Sequence, residues 1–254
     1  MAERDGELVS RVALVTGGGR NIGRAIALRL AADGADVVIN VRSNQDEAES
    51  VAQEVRALGS RALSFCADIR DEQAVQRMAD AAREQLGPIT ILINNAAVRR
   101  DVPFEQMTRA EWSDVLGVIL DGAFVCSRAA VPHMLEAGWG RIVNIVGLGG
   151  QVAGEHRAHH ITAKSGLIGF TKALAVEYAA RNITVNAVSP GSIETERGGS
   201  STPTGPRVLS ARRQPPIGRL GTTREVAAMV RYLVSQDAAY VTGTTLNING
   251  GVCL

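Results

Sequence analysis

The feature that most restricts the fold of this chain is a rhythm. Short apolar, β-branched runs alternate with longer amphipathic stretches from one end of the sequence to the other. The strand-like runs cover residues 12–15, 37–41, 62–65, 89–93, 142–146, 184–188 and 245–248, and helical periodicity fills the intervals at 22–32, 46–58, 72–86, 109–135, 157–180 and 224–234. A strand joined to the next through a helix pairs with it in parallel, and a parallel strand covered on both faces reads as a continuous apolar run. The expected fold is therefore α/β, a doubly wound parallel sheet of seven strands with helices on both faces, in one domain over residues 1–254. Ligands of such sheets sit outside the carboxyl ends of the strands, so the chemistry belongs to the residues that follow each strand. Residues 196–216, rich in Gly, Ser, Thr, Pro and Arg, break the rhythm and read as a substrate lid or an insertion.

Charge and composition narrow the function. The chain has 254 residues, 45% of them hydrophobic, and a formal net charge of +1 from 27 basic and 26 acidic residues. That balance gives no electrostatic reason to expect nucleic acid or a membrane surface as partner, and no run of about 18 consecutive apolar residues is present to span a bilayer. A small-molecule substrate is expected instead. Cys66, Cys126 and Cys253 are too few and too widely spaced for a disulfide framework or a Cys-x-x-Cys site. Residues 1–10 carry charges and no apolar run, so the expected compartment is the reducing cytoplasm. The basic residues are 25 arginines and only two lysines, Lys164 and Lys172. A lysine kept against such a bias invites a reason.

Chemistry begins after the first strand, at Thr16-Gly17-Gly18-Gly19-Arg20-Asn21-Ile22-Gly23. A glycine-rich turn between strand and helix lets the backbone approach a pyrophosphate and aims the helix N-terminus at its charge. The second strand ends in Arg42 rather than in the Asp or Glu that would hold a ribose 2′-hydroxyl. With Arg20 in the turn, it favours a 2′-phosphate, and so NADP over NAD.

Six segments carry a resemblance to a known family: TGGGRNIG at 16–23, ADI at 67–69, NNAA at 94–97, AKSGLIGFTKALAVEY at 163–178, NAVSPGSIET at 186–195 and TGTTLNINGG at 242–251. Over residues 11–251 the chain resembles the short-chain dehydrogenase/reductases, in particular their 3-oxoacyl-ACP reductase-like branch. The resemblance implies a Rossmann fold and an oxidoreductase that acts on a carbonyl or alcohol. It also implies cofactor contacts from Gly17, Gly19, Arg20, Ile22 and Arg42, with Asp68 and Ile69 flanking the adenine and Asn95 along the ribose. Lys164 would bind the nicotinamide ribose, and Ile193 and Thr195 the carboxamide. Similar proteins commonly assemble as tetramers or dimers through the long helices at 109–135 and 157–180, so a homo-oligomer is expected. Asn21 replaces a usual glycine, a mild change because Asn tolerates left-handed backbone.

The catalytic positions depart from the family. Carbonyl reduction leaves an oxyanion that needs hydrogen-bond donors and a proton, for which the family uses Tyr, Lys, Ser and Asn. Counting from Lys164, the Tyr position holds His160, the Ser position Gly147 and the Asn position Ile119. His160 and Lys164 stand at i and i+4 on one helix face, and the ammonium should lower the affinity of the imidazole for protons. Both are taken as the catalytic pair. Three readings stay open: an NADP-dependent oxidoreductase with altered proton transfer, a non-redox isomerase, dehydratase or cyclase, and an NADP-binding partner protein without turnover. His156 and His160 have helical spacing, yet no third ligand is evident and no metal is expected. Ser192, beside Pro190-Gly191, reads first as a solvent-facing turn serine, with the nicotinamide end as the alternative. Arg99, Arg100, Arg197, Arg207, Arg212 and Arg213 read first as solvated loop residues, with recognition of an anionic substrate as the alternative.

Overall fold

The computed structural model describes residues 6–195 and 215–253. Each of the seven expected runs is a strand: β1 (Val12–Thr16), β2 (Asp36–Val41), β3 (Ala62–Cys66), β4 (Ile89–Asn94), β5 (Gly140–Ile145), β6 (Ile183–Pro190) and β7 (Thr245–Ile248). They pair in parallel in the order β3-β2-β1-β4-β5-β6-β7. β1, β2, β4, β5 and β6 are buried along their whole length, which is why their sequences lack polar alternation.

Helices cover both faces. On one side α1 (Asn21–Ala32), α2 (Gln45–Ala57) and α7 (Thr223–Val234) bring Ile26, Leu30, Val51, Val55, Val230 and Leu233 onto Val15, Ile39, Ile93 and Val143. On the other, α3 (Glu72–Gln85), α5 (Gly122–Ala137) and α6 (Ala158–Tyr178) place Val75, Met78, Val125, Met134 and Ala175 against Leu14, Leu92, Ile142 and Val185. Full burial of such a side chain stabilises by about 1.5–3 kcal/mol, and these two layers hold the sheet rigid. The chain winds outward from β1 to β3, returns to β4, and winds outward again to β7. The strand order therefore reverses between β1 and β4, and a crevice opens there beyond the strand ends.

The long helix expected at 109–135 is broken. α4 (Arg109–Leu116) passes into a π turn at Gly117–Asp121 before α5 continues the same direction. By length and composition the stretch Arg109–Ala137 is apolar enough to cross a membrane. Its apolar face lies in the protein instead, with Val115, Ala123, Cys126, Ala130 and Met134 buried, as in a core helix. The lid assigned to residues 196–216 lies outside the described residues except for Pro215 and Pro216, as do Arg197, Arg207, Arg212 and Arg213.

Candidate active site

The glycine turn is built at the point where the strand order reverses. Thr16, the last residue of β1, donates its hydroxyl to the Ile93 carbonyl at 3.2 Å and accepts the Asn95 and Ala96 amides at 3.0 and 3.1 Å. The Asn95 amide group, just past β4, donates back to the Thr16 and Gly17 carbonyls, both at 3.0 Å. Gly17 runs at φ +62° in front of Ala96, and a Cβ at Gly23 would come to 2.1 Å from the Gly17 carbonyl oxygen. Asn21 takes φ +49°, the left-handed conformation its side chain tolerates. Arg20 is extended at the N-cap of α1, and no side chain caps the helix. An uncapped helix N-terminus behind glycines that leave the backbone bare fits a pyrophosphate.

The other residues expected at the cofactor follow the ends of β2, β3 and β6 or lie in α1 and α6. Arg20 is well exposed, 3.9 Å from Glu47. Arg42 is exposed directly after β2, and its carbonyl accepts from Cys66 Sγ at 3.2 Å. Asp68 is held below the usual carboxylate range, first by its hydrogen bonds to Arg70, which it receives at 2.5–3.1 Å. Arg70 reaches on to Asp114 of α4 at 2.7 Å, and Asp114 also accepts from Arg100 at 2.8 Å. The Ile69 side chain is buried against Gly122. Ile22, in the first turn of α1, is half-buried against the core. Ile193 bridges to Gly221 and Thr195 is half-buried. A cavity of about 390 Å³ opens beside Ser192, Ile193, Ile217 and Asn247, at the end of β6 and β7. A larger one, about 720 Å³, lies on the first turn of α7 among Arg219, Thr222 and Glu225, and neither His160 nor Lys164 lines it.

Lys164 is buried, and its Nζ donates to the Ile145 carbonyl at the end of β5 at 2.5 Å. Burial lowers its ammonium to about 8. One helical turn earlier, His160 is lowered to about 3, first by burial and next by Lys164, Arg99, Arg157 and His159. The ammonium acts in the expected direction, but loss of water is the larger cause. His160 Nδ1 is buried without a hydrogen-bond partner and faces Gly149, where a Cβ would stand 3.0 Å away. His159 is wholly buried with neither ring nitrogen paired. His156 precedes α6 in a turn at φ +61°, so it does not share helical spacing with His160. Among the described residues no three His, Cys, Asp or Glu side chains converge.

The two remaining catalytic positions offer no polar side chain. Gly147 follows β5 at φ +69° and ψ 174°. Ile119 sits in the π turn, buried in an apolar cluster with Val115, Ala123, Val146, Ala163 and Leu167. Beneath the site runs a buried polar chain: Asn94 donates to Asn144 Oδ1 at 2.8 Å, and Asn144 to Thr171 Oγ1 at 2.9 Å. The sequence does not single out the bonding role of Thr16, nor Arg70, nor the ion pair of Arg157 with Asp101. Arg70, two residues after Asp68, was open to detection by spacing; the others depend on contacts distant in sequence.

A family model described as enoyl-(acyl carrier protein) reductase matches residues 17–253. The chain is 37% identical over 245 residues to the 3-oxoacyl-(acyl-carrier-protein) reductase FabG of Staphylococcus aureus, covering 96% of this chain and 98% of that protein. Identity to the FabG of Pseudomonas aeruginosa is 39% over 245 residues, with the same coverage. To the 3-oxoacyl-(acyl-carrier-protein) reductase of Synechocystis it is 37% over 248 residues, covering 97% and 98%.

Proposed function

This chain belongs to the short-chain dehydrogenase/reductase family of oxidoreductases, in its 3-oxoacyl-ACP reductase-like branch, and we propose that it is an NADP-dependent enzyme that interconverts a carbonyl and an alcohol. The observation that carries this reading is the joint presence of a bare glycine turn at the head of α1 and a buried lysine at the end of β5. The backbone of Gly17 and Gly19 and the start of α1 would hold the pyrophosphate, and Arg20 and Arg42 the 2′-phosphate. Asp68 and Ile69 would flank the adenine. Asn95 fixes the turn that meets the ribose, Lys164 would hold the nicotinamide ribose, and Ile193 and Thr195 the carboxamide. The nicotinamide, when bound, supplies or accepts the hydride.

Proton handling falls to His160 and Lys164. An imidazole lowered to about 3 is neutral at pH 7, whereas an ammonium lowered to about 8 still keeps its proton. Lys164 is then the proton source for reduction, and His160 hydrogen-bonds the substrate oxygen and passes the proton on. The lost serine hydroxyl at Gly147 costs about 100- to 1,000-fold if it is worth one oxyanion donor, so turnover should be slow. The test is a screen of NADPH oxidation across carbonyl compounds. We expect at least one to be reduced, His160→Ala to abolish reduction without altering NADPH affinity, and the rate to fall as pH rises through about 8. Tight NADPH binding with no oxidation by any ketone would refute redox catalysis.

One observation favours a second reading. Ile119 and Gly147 offer no hydroxyl or amide donor at the two positions where the family has Asn and Ser. A non-redox enzyme or a non-catalytic NADP-binding partner protein on this fold would tolerate that loss; the first predicts product without change in cofactor absorbance, the second a stable hetero-oligomer. We further propose a homo-oligomer, tetramer or dimer, in the cytoplasm, supported by exposed Phe124 on α5 and Val176 on α6.

A further inference from the structure

The amino ends of the strands, opposite the glycine turn, hold positive charge that the fold does not neutralise. Arg11 immediately precedes β1, Trp139 precedes β5, and Arg141 is the second residue of β5. Both guanidinium groups stack on the Trp139 ring, with Cζ 4.0 Å from its centroid for Arg11 and 4.4 Å for Arg141. An indole face attracts positive charge but gives the N–H groups at the guanidinium edge no acceptor. Arg141 is fully buried. Its Nη1 donates to the Gly140 and Asn182 carbonyls at 2.8 and 3.2 Å, whereas Nε and Nη2 have no partner. The Trp139 Nε1 and the Thr184 hydroxyl are likewise buried and unpaired. Thr184 is the neighbour of Arg141 in the β5–β6 register, and Val143 and Val188 belong to the layer under α7, so strand alternation puts Arg141 and Thr184 on that face together. Among the described residues no acidic side chain acts on either arginine. Burial lowers both, Arg141 to about 10 with Arg11 adding to the effect, and both keep their charge at pH 7.

A buried cation with unmet donors is costly, and unpaired groups gathered at one place in a native fold point to a partner of the missing kind. We propose that Arg11, Arg141, Trp139 and Thr184 form a binding site for a small inorganic anion of halide size. Each unmet group can donate a hydrogen bond, and one negatively charged acceptor answers them together, which uncharged water does not. Enclosure by buried atoms suits a monatomic ion rather than a phosphate or a nucleotide. Arg11, half-buried, gives the cluster its contact with solvent. The anion ties the residue before β1 to the start of β5, two strands that β4 separates in the sheet. Its role is to hold the amino edge of the sheet, independently of the cofactor.

The test is thermal unfolding of the full chain at fixed protein concentration and ionic strength, with sodium gluconate, whose anion is too bulky to enter, replaced stepwise by sodium bromide. Once the site fills, the midpoint is expected to rise by about 3–5 °C for each tenfold rise in bromide. Arg141→Met should abolish the rise. Arg11→Gln, which leaves the buried part of the cluster intact, should raise the bromide concentration required by at least about tenfold. Arg20 and Arg42 offer a halide a second place to bind, so the titration is repeated with both changed to Gln, and the rise should persist. A midpoint indifferent to bromide, a response unchanged in Arg11→Gln, or a rise lost in the Arg20 and Arg42 variant overturns the site. Crystals grown in bromide should show an anomalous peak within hydrogen-bond distance of Arg141 Nε or Nη2. No peak there overturns the assignment, and a peak without bromide-dependent stability reduces it to an adventitious ion only.

Discussion

Gly147 replaces a serine hydroxyl, but its backbone carries the larger consequence. At φ +69° and ψ 174° it occupies a region open in practice to glycine, while the nearest atom to a Cβ there, the Pro190 carbonyl oxygen, is 3.8 Å away. Space is not the obstacle; conformation is. Gly147→Ser should therefore destabilise by about 1–3 kcal/mol in urea unfolding, and Gly147→Ala by the same amount. A serine variant as stable as the parent would show that the loop relaxes to accept a side chain. The corresponding change at His160 differs in kind. His160 is half-buried, and a side chain added at Gly149 would meet its Nδ1 at 3.0 Å.

The glycine turn shows why elements and not motifs are the working unit. Asn95 closes that turn from another strand through two carbonyl bonds of 3.0 Å each. Asn95→Ala should destabilise by about 1–3 kcal/mol and weaken NADPH binding, read by thermal unfolding with and without the cofactor. Unchanged cofactor affinity would mean that Asn95 supports the fold but not the site. The elements themselves were legible in the sequence, since burial on both faces leaves apolar runs and amphipathic helices keep their 3.6-residue period. The break at Gly117–Asp121 was not, because one added residue in a turn barely disturbs the period of a 29-residue apolar stretch. The same limit hid Arg157: beside His160 in sequence, it gains meaning only when Asp101, 56 residues earlier, is brought against it. The glycines announce themselves within one strand-to-helix junction, where local sequence and local structure coincide, whereas Asp68 and Lys164 are marked as cofactor contacts by the resemblance to the family.

At the scale of the molecule, α5 and α6 leave apolar side chains uncovered: Phe124 is 45% exposed and Val176 84%. A second copy of the chain would cover them, and exchange of Val176 for Glu should shift the species measured by light scattering to a smaller mass without loss of helical content. A parent that is already monomeric would remove that reading. The order of the strands also bears on how the protein is made. β1 is the first of these strands to leave the ribosome but lies inside the sheet, with β2 on one side and β4 on the other. The Thr16 hydroxyl and the Gly17 carbonyl wait for residues 93–96 before their partners exist. A nascent chain released at residue 88 would contain every letter of the glycine motif and lack the residues that close it, so the turn is completed only once residues 93–96 have been made.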